Sequence, residues 1–528
     1  MKRVSLIIAV LFLLMVSCTH KYVFDGNGRI TDFKLVTCEG DTISPFLIKN
    51  NVIHVKIQKG VDLTKLVPII KHDGESIFEA SSLCDYYTST QSLDFSDFTN
   101  PITFHIISSD GKRSEWIVKM YDLPVIVVET PDGEEINSKL KRKKDCIVSE
   151  VRNDSIIPID LAGIRGRGNS TWIDSPQKPY NIKFKEPHGL LGMNSGRYWI
   201  LLANGYFDRT HLHNATAFEM ARLTDFPWVQ DGKFVELIIN GDHKGLYYLC
   251  EKIEQGNDKI KLAESANVNL DSSMCGYLLE TLHEPEEDDL YFVTDYINKT
   301  GWTLENTIFW ECKFPKAENL GQSQLELVKN ELNYFESLIA IDDSLKTGKY
   351  REYFDIESAI DWLLVEDAAM NKEAASSKNV FLYKSSIDGK FHIGPPWDFD
   401  AWTFGDRGMM EQSIYPYALY YRQLMKDPIF VNRLKQKWAI YKPIWEQRIP
   451  QYIDEQYMNI RRAALRNETM WTNTYKKAID SRPWYNPRRI AHSIKHPYRS
   501  YDKLIPNMKS SFLEQLNVMD KNINSLNQ

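Results

Sequence analysis

Two carboxylates spaced two residues apart, Asp398 and Asp400, stand in the run Pro395-Pro396-Trp397-Asp398-Phe399-Asp400, with Phe404-Gly405 just beyond. In an extended chain alternate side chains share a face, so both acids project to one side while Trp397 and Phe399 pack on the other. Paired hard oxygens suit Mg²⁺ or Mn²⁺ bridging to phosphate. A turn in which Asp side chains bond the backbone accounts for the same residues. Upstream lies Glu366-Asp367-Ala368-Ala369-Met370-Asn371-Lys372-Glu373, followed by the strand pattern Asn379-Val380-Phe381-Leu382-Tyr383-Lys384. An acid at a helix end, one strand before a metal-binding acid, is where a phosphotransferase keeps its base. Glutamate on a helix surface is the ordinary alternative.

A second constellation is Arg165-Gly166-Arg167-Gly168-Asn169-Ser170-Thr171-Trp172. Glycines let backbone N–H groups approach an anion, and arginines fork onto phosphate oxygens. Next comes Lys178-Pro179-Tyr180-Asn181-Ile182-Lys183-Phe184, which as a strand turns Tyr180, Ile182 and Phe184 to one face and Lys183 to the other. A Gly-rich loop before a lysine-bearing strand fits a nucleotide phosphate cradle. Solvated surface cations fit it too.

The elements that must position these residues are α+β. Asp208 is an N-cap for a helix from Arg209 to Leu223. Phe234 to Ile239, Asn240-Gly241 and Gly245 to Leu249 read as a hairpin with a tight turn. Beyond residue 320 helices dominate: Leu325, Val328, Leu332, Phe335 and Leu338 share a face behind Ser323 and Glu326, Asp427-Pro428 opens another helix, and Leu504 to Leu526 is a third. Earlier, Thr31 to Leu35, Val52 to Ile57, Ile102 to Ile106 and Trp116 to Met120 alternate with period two, which predicts a small all-β immunoglobulin-like sandwich. It reads as a spacer, with carbohydrate binding the alternative.

The chain has 528 residues, 43% hydrophobic and 26% charged, with a formal charge of -7. That balance excludes disordered and multi-span membrane classes, and no global positive field recommends a nucleic-acid partner. Met1-Lys2-Arg3, the apolar run Val4 to Val16 and Ser17-Cys18 form a secretory signal too short to span a bilayer. Cysteine at that place resembles the bacterial lipobox, so Cys18 is the expected lipidation site; a simple cleaved signal is the alternative. The other cysteines include no C-x-x-C pair, which argues against zinc, and most are expected as buried thiols.

Together the runs resemble the spore-coat protein H (CotH) kinase-like family. The matching text is Arg165 to Trp172, Lys178 to Lys183, Trp199-Ile200-Leu201-Leu202-Ala203-Asn204 with Asp208-Arg209-Thr210, Gly245-Leu246-Tyr247 to Glu251-Lys252, and Pro396 to Asp400 with Phe404-Gly405. The sandwich and lipobox look like the form this family takes in surface lipoproteins of Bacteroidetes-type bacteria. The resemblance implies a divergent, atypical protein-kinase-like fold that uses ATP and a divalent metal to phosphorylate serine on partner proteins. It makes Asp398 the metal-binding acid, assisted by Asp400. Lys178 or Lys183 touches the ATP phosphates, Glu251 orients that lysine, and Arg165, Arg167 and Asn169 line the phosphate side. Where the family shows Asn-x-Asp for the catalytic acid, this chain has Asn371-Lys372-Glu373. The extra methylene moves the carboxylate by about 1 Å, a displacement that can cost roughly 10²-fold in rate.

The expected organisation is thus a signal peptide over 1–18, a sandwich over 28–122, a kinase-like domain over 123–450 and a basic helical extension over 451–528 packing on it. The expected protein is an exported lipoprotein, held at the membrane through Cys18 in the periplasm or at the cell surface, with a protein or surface-glycan acceptor. A pseudokinase is the alternative, binding polysaccharide or protein through basic and aromatic residues between Arg461 and Arg499. A hydrolase pair built from Asp398, Asp400 and Glu373 ranks last, because it leaves the phosphate-friendly loop and lysine strand without a role.

Overall fold

Period-two burial runs along Arg113–Tyr121, where Ser114, Trp116, Val118 and Met120 point inward. This is the pattern of a strand covered on one face. The computed structural model describes residues 25–81, 87, 91–256, 258–262, 276–282, 291–296, 308–315, 322–385, 389–405, 408, 410–480 and 500–526. Cys18 and the signal stretch, Cys84, Cys275 and the basic residues from Arg482 to Arg499 lie outside them. The chain divides into two compact units, one reaching Val127 and including Ser149–Pro158, the other formed by Val128–Val148 and Ile159–Gln528.

In the first unit, β1 (Ile30–Val36), β2 (Thr42–Ile43), β3 (Leu47–Lys49), β4 (Val52–Lys56), β5 (Val67–His72), β6 (Ser76–Glu79), β7 (Thr103–Ile107) and β8 (Arg113–Tyr121) form two sheets, ordered β2-β1-β5 and β3-β4-β8-β7-β6. The four runs read from period two correspond to β1, β4, β7 and β8. The pair β4 and β8 is parallel, with Val52 opposite Ile117. Phe33, Leu35, Ile53, Val55, Phe104, Ile106, Trp116 and Val118 belong to one buried core. Gly28 is needed there, because a Cβ would meet Ile106 Cγ2 at 2.5 Å. Its carbonyl accepts from Ser114 Oγ at 2.6 Å and Trp116 Nε1 at 3.1 Å.

The chain continues through β9 (Val125–Glu129), β10 (Lys143–Arg152), β11 (Ser155–Gly166), β12 (Tyr180–His188), β13 (Gly196–Leu202), β14 (Gly232–Ile239) and β15 (Asp242–Glu251), a closed barrel ordered β10-β11-β12-β13-β15-β14-β9. The β14–β15 hairpin turns on Asn240 and Gly241, with φ of 54° and 90°. Then β16 (Tyr277–Leu282), β17 (Tyr291–Phe292), β18 (Phe309–Phe314), β19 (Phe381–Lys384) and β20 (Phe391–Ile393) make a sheet ordered β17-β18-β16-β19-β20.

The helices named below are α1 (Ser170–Asp174), α2 (His213–Arg222), α3 (Gln322–Ala340), α4 (Ile356–Ala368), α5 (Pro428–Asp480) and α6 (Tyr501–Ser525). Leu325, Val328, Leu332, Phe335 and Leu338 of α3 are all buried, as their spacing requires. Asp427 caps α5 by accepting the Ile429 amide at 3.0 Å. Residue 450 lies inside α5, which continues without a break to Asp480. The expected start of α2 needs correction: the helix begins at His213, not Arg209. Asp208 Oδ1 accepts the Thr210 amide at 2.8 Å, closing a turn, and Oδ2 accepts the His213 amide at 2.9 Å. The acid therefore caps the helix from five residues upstream. Among the described residues no helix is long and apolar enough to cross a membrane.

Candidate functional site

The Trp397-Asp398-Phe399-Asp400 run is shaped by α2. Phe218 stacks on Trp397 at 5.7 Å and meets Phe399 edge-on at 6.3 Å. Asn214 Oδ1 accepts the Phe399 amide at 3.0 Å, and Gln230 Nε2 donates to the Pro396 carbonyl at 2.7 Å. Thr403 Oγ1 donates to the Phe399 carbonyl at 2.6 Å and lies 2.9 Å from His213 Nδ1. These anchors bend the run, and Asp398 sits at φ 72° with no strand across it, so of the two readings the extended one does not hold. Acids tolerate the left-handed region better than branched residues do.

The turn still gathers the acids. Burial raises the Asp398 carboxyl; Arg167 pulls it down, Glu280 pushes it up, and the Asn379 bond favours its charge. Asp400 is raised well above the usual carboxylate range, first by burial and then by Asp398, with Glu373 and Asp208 adding to the repulsion and Arg167 opposing it. Arg167 also lies over the Trp397 ring at 5.7 Å. The structure thus brings Arg167, Glu373, Asp398 and Asp400 into one electrostatic cluster. Behind it, Asn371 Nδ2 donates to Glu366 Oε2 at 2.8 Å, and Asn371 Oδ1 accepts the Glu373 amide at 3.1 Å. The main chain joins the same region where the Phe404 amide donates to the Ala369 carbonyl at 2.8 Å.

Strand register sorts the remaining cations. Arg165 opposes Asn181, Asn181 opposes Ile200, and Ile200 opposes Cys250, while Lys183 opposes Tyr198 one rung away. Residues two apart share a face, so Arg165 and Lys183 project to the same side of the barrel wall. Lys183 Nζ and Lys252 Nζ lie 5.5 Å and 4.9 Å from the Tyr198 ring centre. Gly163 lets Arg142 cross this wall, since a Cβ there would meet Arg142 Cδ at 2.5 Å. Arg142 donates to the Gly163 carbonyl at 2.9 Å, and burial, then Arg165, lowers it to about 10.

Lys252 is lowered by burial and then by Lys313, against the pull of Glu280. Lys313 lies 2.8 Å from Glu280, which also acts on Asp398. Glu280, Lys313, Lys252 and Asn379 therefore link the cationic wall to the acidic cluster. Sequence reading assigned no role to Glu280, Lys313 or Asn379. The alternation in Phe309-Trp310-Glu311-Cys312-Lys313-Phe314 was the available signal, because it places Glu311 and Lys313 on one face.

Other expected site residues have partners of their own. Lys178 Nζ donates to the Trp172 carbonyl at 2.6 Å and lies over its ring at 5.4 Å. Asn169 Oδ1 accepts from Lys139 at 2.7 Å. Glu251 opposes Trp199, the neighbour of Tyr198, so register puts it on the face opposite Lys183. Its Oε2 accepts the Asp231 amide at 2.9 Å, and burial raises its carboxyl. The orienting role expected for Glu251 toward Lys183 is thereby corrected. Two amides of the glycine loop are taken up by main chain. The Gly166 and Arg167 amides donate to the carbonyls of Ser138 and Pro179 at 2.8 and 3.2 Å, and a Cβ on Gly166 would strike the Trp172 ring at 2.2 Å. At Gly166 the missing side chain makes room for Trp172.

Among the described residues no group of three or more His, Cys, Asp or Glu is set to hold a metal. The donor chemistry nevertheless fits a hard divalent cation shared with phosphate and water: Asp398 and Asp400 are oxygen donors whose mutual repulsion such an ion relieves.

An acidic cluster with Arg167 beside it, set between a barrel and a helical part, belongs to a mixed α+β protein. Residues 164–501 match the family described as CotH kinase protein, and the chain belongs to that family. No curated protein matches the sequence. A structure from Bacteroides thetaiotaomicron, provisionally assigned as a glycoside hydrolase, is similar over 53% of this chain and 66% of that one, just under two thirds of its length, at 12% identity and a TM-score of 0.17. A likeness at that level carries no argument.

Proposed function

We propose that the second unit is a divergent kinase-like domain that transfers phosphate from ATP, with Mg²⁺ or Mn²⁺, to a protein serine or a surface-glycan hydroxyl. The observation that carries this reading is Arg167 acting on Asp398 and Asp400, with Glu373 beside them, inside the family match. Asp398 and Asp400 would hold the cation, which would supply charge neutralisation at the phosphate. Arg167 steadies the transferring phosphate, and Lys183 with Lys252 and Arg165 binds the phosphate chain from the barrel wall. Glu373 takes the proton from the acceptor hydroxyl as its oxygen bonds to the γ-phosphorus and the bond to ADP breaks. Asn371 positions Glu373 through its amide. The test is phosphate incorporation by the purified chain with ATP and Mn²⁺, beside Asp398→Ala. Transfer that is lost in the variant supports the reading; metal-dependent nucleotide binding unchanged in Asp398→Ala sinks it.

Glutamate at position 373, where the family has aspartate, favours a second reading as a pseudokinase that binds polysaccharide or protein. Two of the arginines expected to serve it are engaged internally: Arg461 with Asp502 at 2.8 Å, and Arg466 with buried Glu236. ATP binding without transfer to any acceptor would select this reading. Under either one, export with a lipid on Cys18 places the protein at a membrane, and the two-sheet first unit serves as an immunoglobulin-like spacer. Mass spectrometry of the mature N-terminus tests the anchor.

A further inference from the structure

A cavity of about 330 Å³ lies in the helical part of the second unit, and Arg167, Glu373, Asp398 and Asp400 are absent from its lining. Its lining joins apolar Leu363, Leu434 and Met519, from α4, α5 and α6, to polar Asp367, Ser413 and Gln515. The volume falls at the lower end of small-molecule sites, which span about 300–1,000 Å³.

Asp367 makes this more than a packing gap. Its side chain ends the last turn of α4, and the residue is 4% exposed. Asp367 Oδ1 accepts the Ile414 amide at 3.0 Å, and Ser413 also donates to the carboxylate. Gln515 is occupied elsewhere, donating to the Asp367 main-chain carbonyl at 3.1 Å and accepting the Met410 amide at 3.3 Å. All the partners of the carboxylate are thus neutral, and among the described residues no lysine, arginine or histidine pairs with it. Burial lifts the carboxyl to about 6, so it is largely ionised at neutral pH. A buried charge without a counter-ion is costly, and the space beside it is large enough for one.

We propose that this cavity binds a small organic cation, its ammonium or guanidinium meeting Asp367 and its apolar body lying against Leu363, Leu434 and Met519. The site is independent of the phosphoryl-transfer reading. Asp367 nevertheless neighbours Glu366, whose carboxylate takes the Asn371 side chain that holds the Glu373 amide. Occupancy therefore borders on the loop of the candidate site.

Calorimetric titration of the purified chain with tryptamine, and with tryptophol as its neutral counterpart, tests the proposal without any measurement of transfer. Tryptamine should saturate one site at least about tenfold more tightly than tryptophol. Asp367→Asn keeps an acceptor for the Ile414 amide and should reduce tryptamine to the tryptophol level. Met519→Trp fills the cavity from α6 and should weaken both probes by about tenfold or more, which keeps the test decisive if the Asp367 variant fails to fold. Equal affinity for the two probes, no saturable binding of tryptamine, or tryptamine binding that survives both variants would each overturn the proposal.

Discussion

Asn379 Nδ2 donates to Asp398 Oδ2 at 2.5 Å, so the acid at the centre of the cluster is held by an amide from the segment leading into β19. The bond fixes one carboxylate oxygen and, by favouring the charged form, opposes the burial that raises Asp398. Replacing Asn379 with leucine removes both effects. Phosphate transfer should fall about 10- to 100-fold, with a matching loss of Mn²⁺ affinity. Titration of Mn²⁺ by electron paramagnetic resonance beside a transfer assay checks this, and unchanged affinity would remove Asn379 from the cation-holding group.

Glu373 has its own test. Glu373→Gln keeps the shape and the Asn371 contact to the main-chain amide but cannot accept a proton. If transfer occurs with Glu373 as base, the rate should drop about 10²- to 10⁴-fold with little change in ATP affinity. Glu373→Asp restores the residue type the family shows, and a rate above that of the natural chain would mean that the longer side chain is the defect. Equal rates for all three forms would exclude proton transfer at this position.

The Glu236, His243 and Arg466 network joins the β14–β15 hairpin to α5. Glu236 and His243 are fully enclosed and 2.6 Å apart, and Arg466 closes on the other carboxylate oxygen. Arg466→Met leaves a buried carboxylate without its guanidinium. That should cost about 3–5 kcal/mol of stability, read from denaturant midpoints. Glu236→Gln with Arg466→Met should recover part of the loss, because no charge is then stranded.

Two buried groups lose stability as the solution is acidified, against Asp361 and Asp367, whose carboxyls burial lifts to about 6 and which act in the opposite direction. Burial, the main cause, holds the His211 imidazole down to about 4 from its ordinary 6.5. The unfolded chain therefore binds the proton first, so the stability tied to His211 is present above pH 6.5 and lost as pH falls from 6.5 toward 4. For Glu236, burial works upward but Arg466 and His243 outweigh it and hold the carboxyl at about 2. Its share is present above about pH 4.5 and lost as pH falls toward 2. Each proton difference changes stability by at most about 1.4 kcal/mol per pH unit. The urea midpoint of the natural chain should therefore fall, relative to that of His211→Gln, as pH is lowered from 6.5 toward 4.

The strands and helices that were legible share one property: their signals are local. Period two gave β1, β4, β7 and β8, helical spacing gave α3, and Asn240-Gly241 gave the hairpin. The misplaced features depend on contacts between distant parts of the chain. Asp208 begins its helix late because both of its oxygens are engaged across a turn. The Asp398 run bends because α2 supplies Phe218, Asn214 and His213. Glu251 lands on the far face because β13 pairs directly with β15, skipping β14, which lies between them only in sequence, a register that counting along a single strand cannot reach. Arg167, Glu373, Asp398 and Asp400 were legible as chemistry, whereas Glu280 and Lys313 looked like ordinary strand residues until the second sheet placed them.

The long helix α5 has a mechanical consequence. Near its start, Lys437 is buried against Asp361 of α4 at 2.8 Å; 30 positions later, Asn467 Oδ1 accepts the Leu246 amide of β15 at 2.9 Å, and Glu468 pairs with Arg209. At about 1.5 Å per residue, that stretch spans roughly 45 Å of helix, with a backbone hydrogen bond missing at Pro443 and again at Pro450, which carry no N–H. It works as a strut clamped to the barrel wall at one end and to the helix preceding the Glu373 loop at the other. A strut of this kind opposes the wide hinge opening by which many phosphate-transferring proteins admit nucleotide. On the proposed kinase reading, nucleotide entry and exit would then run through side-chain and loop rearrangement at the rim, with the spacing between cations and acids little changed.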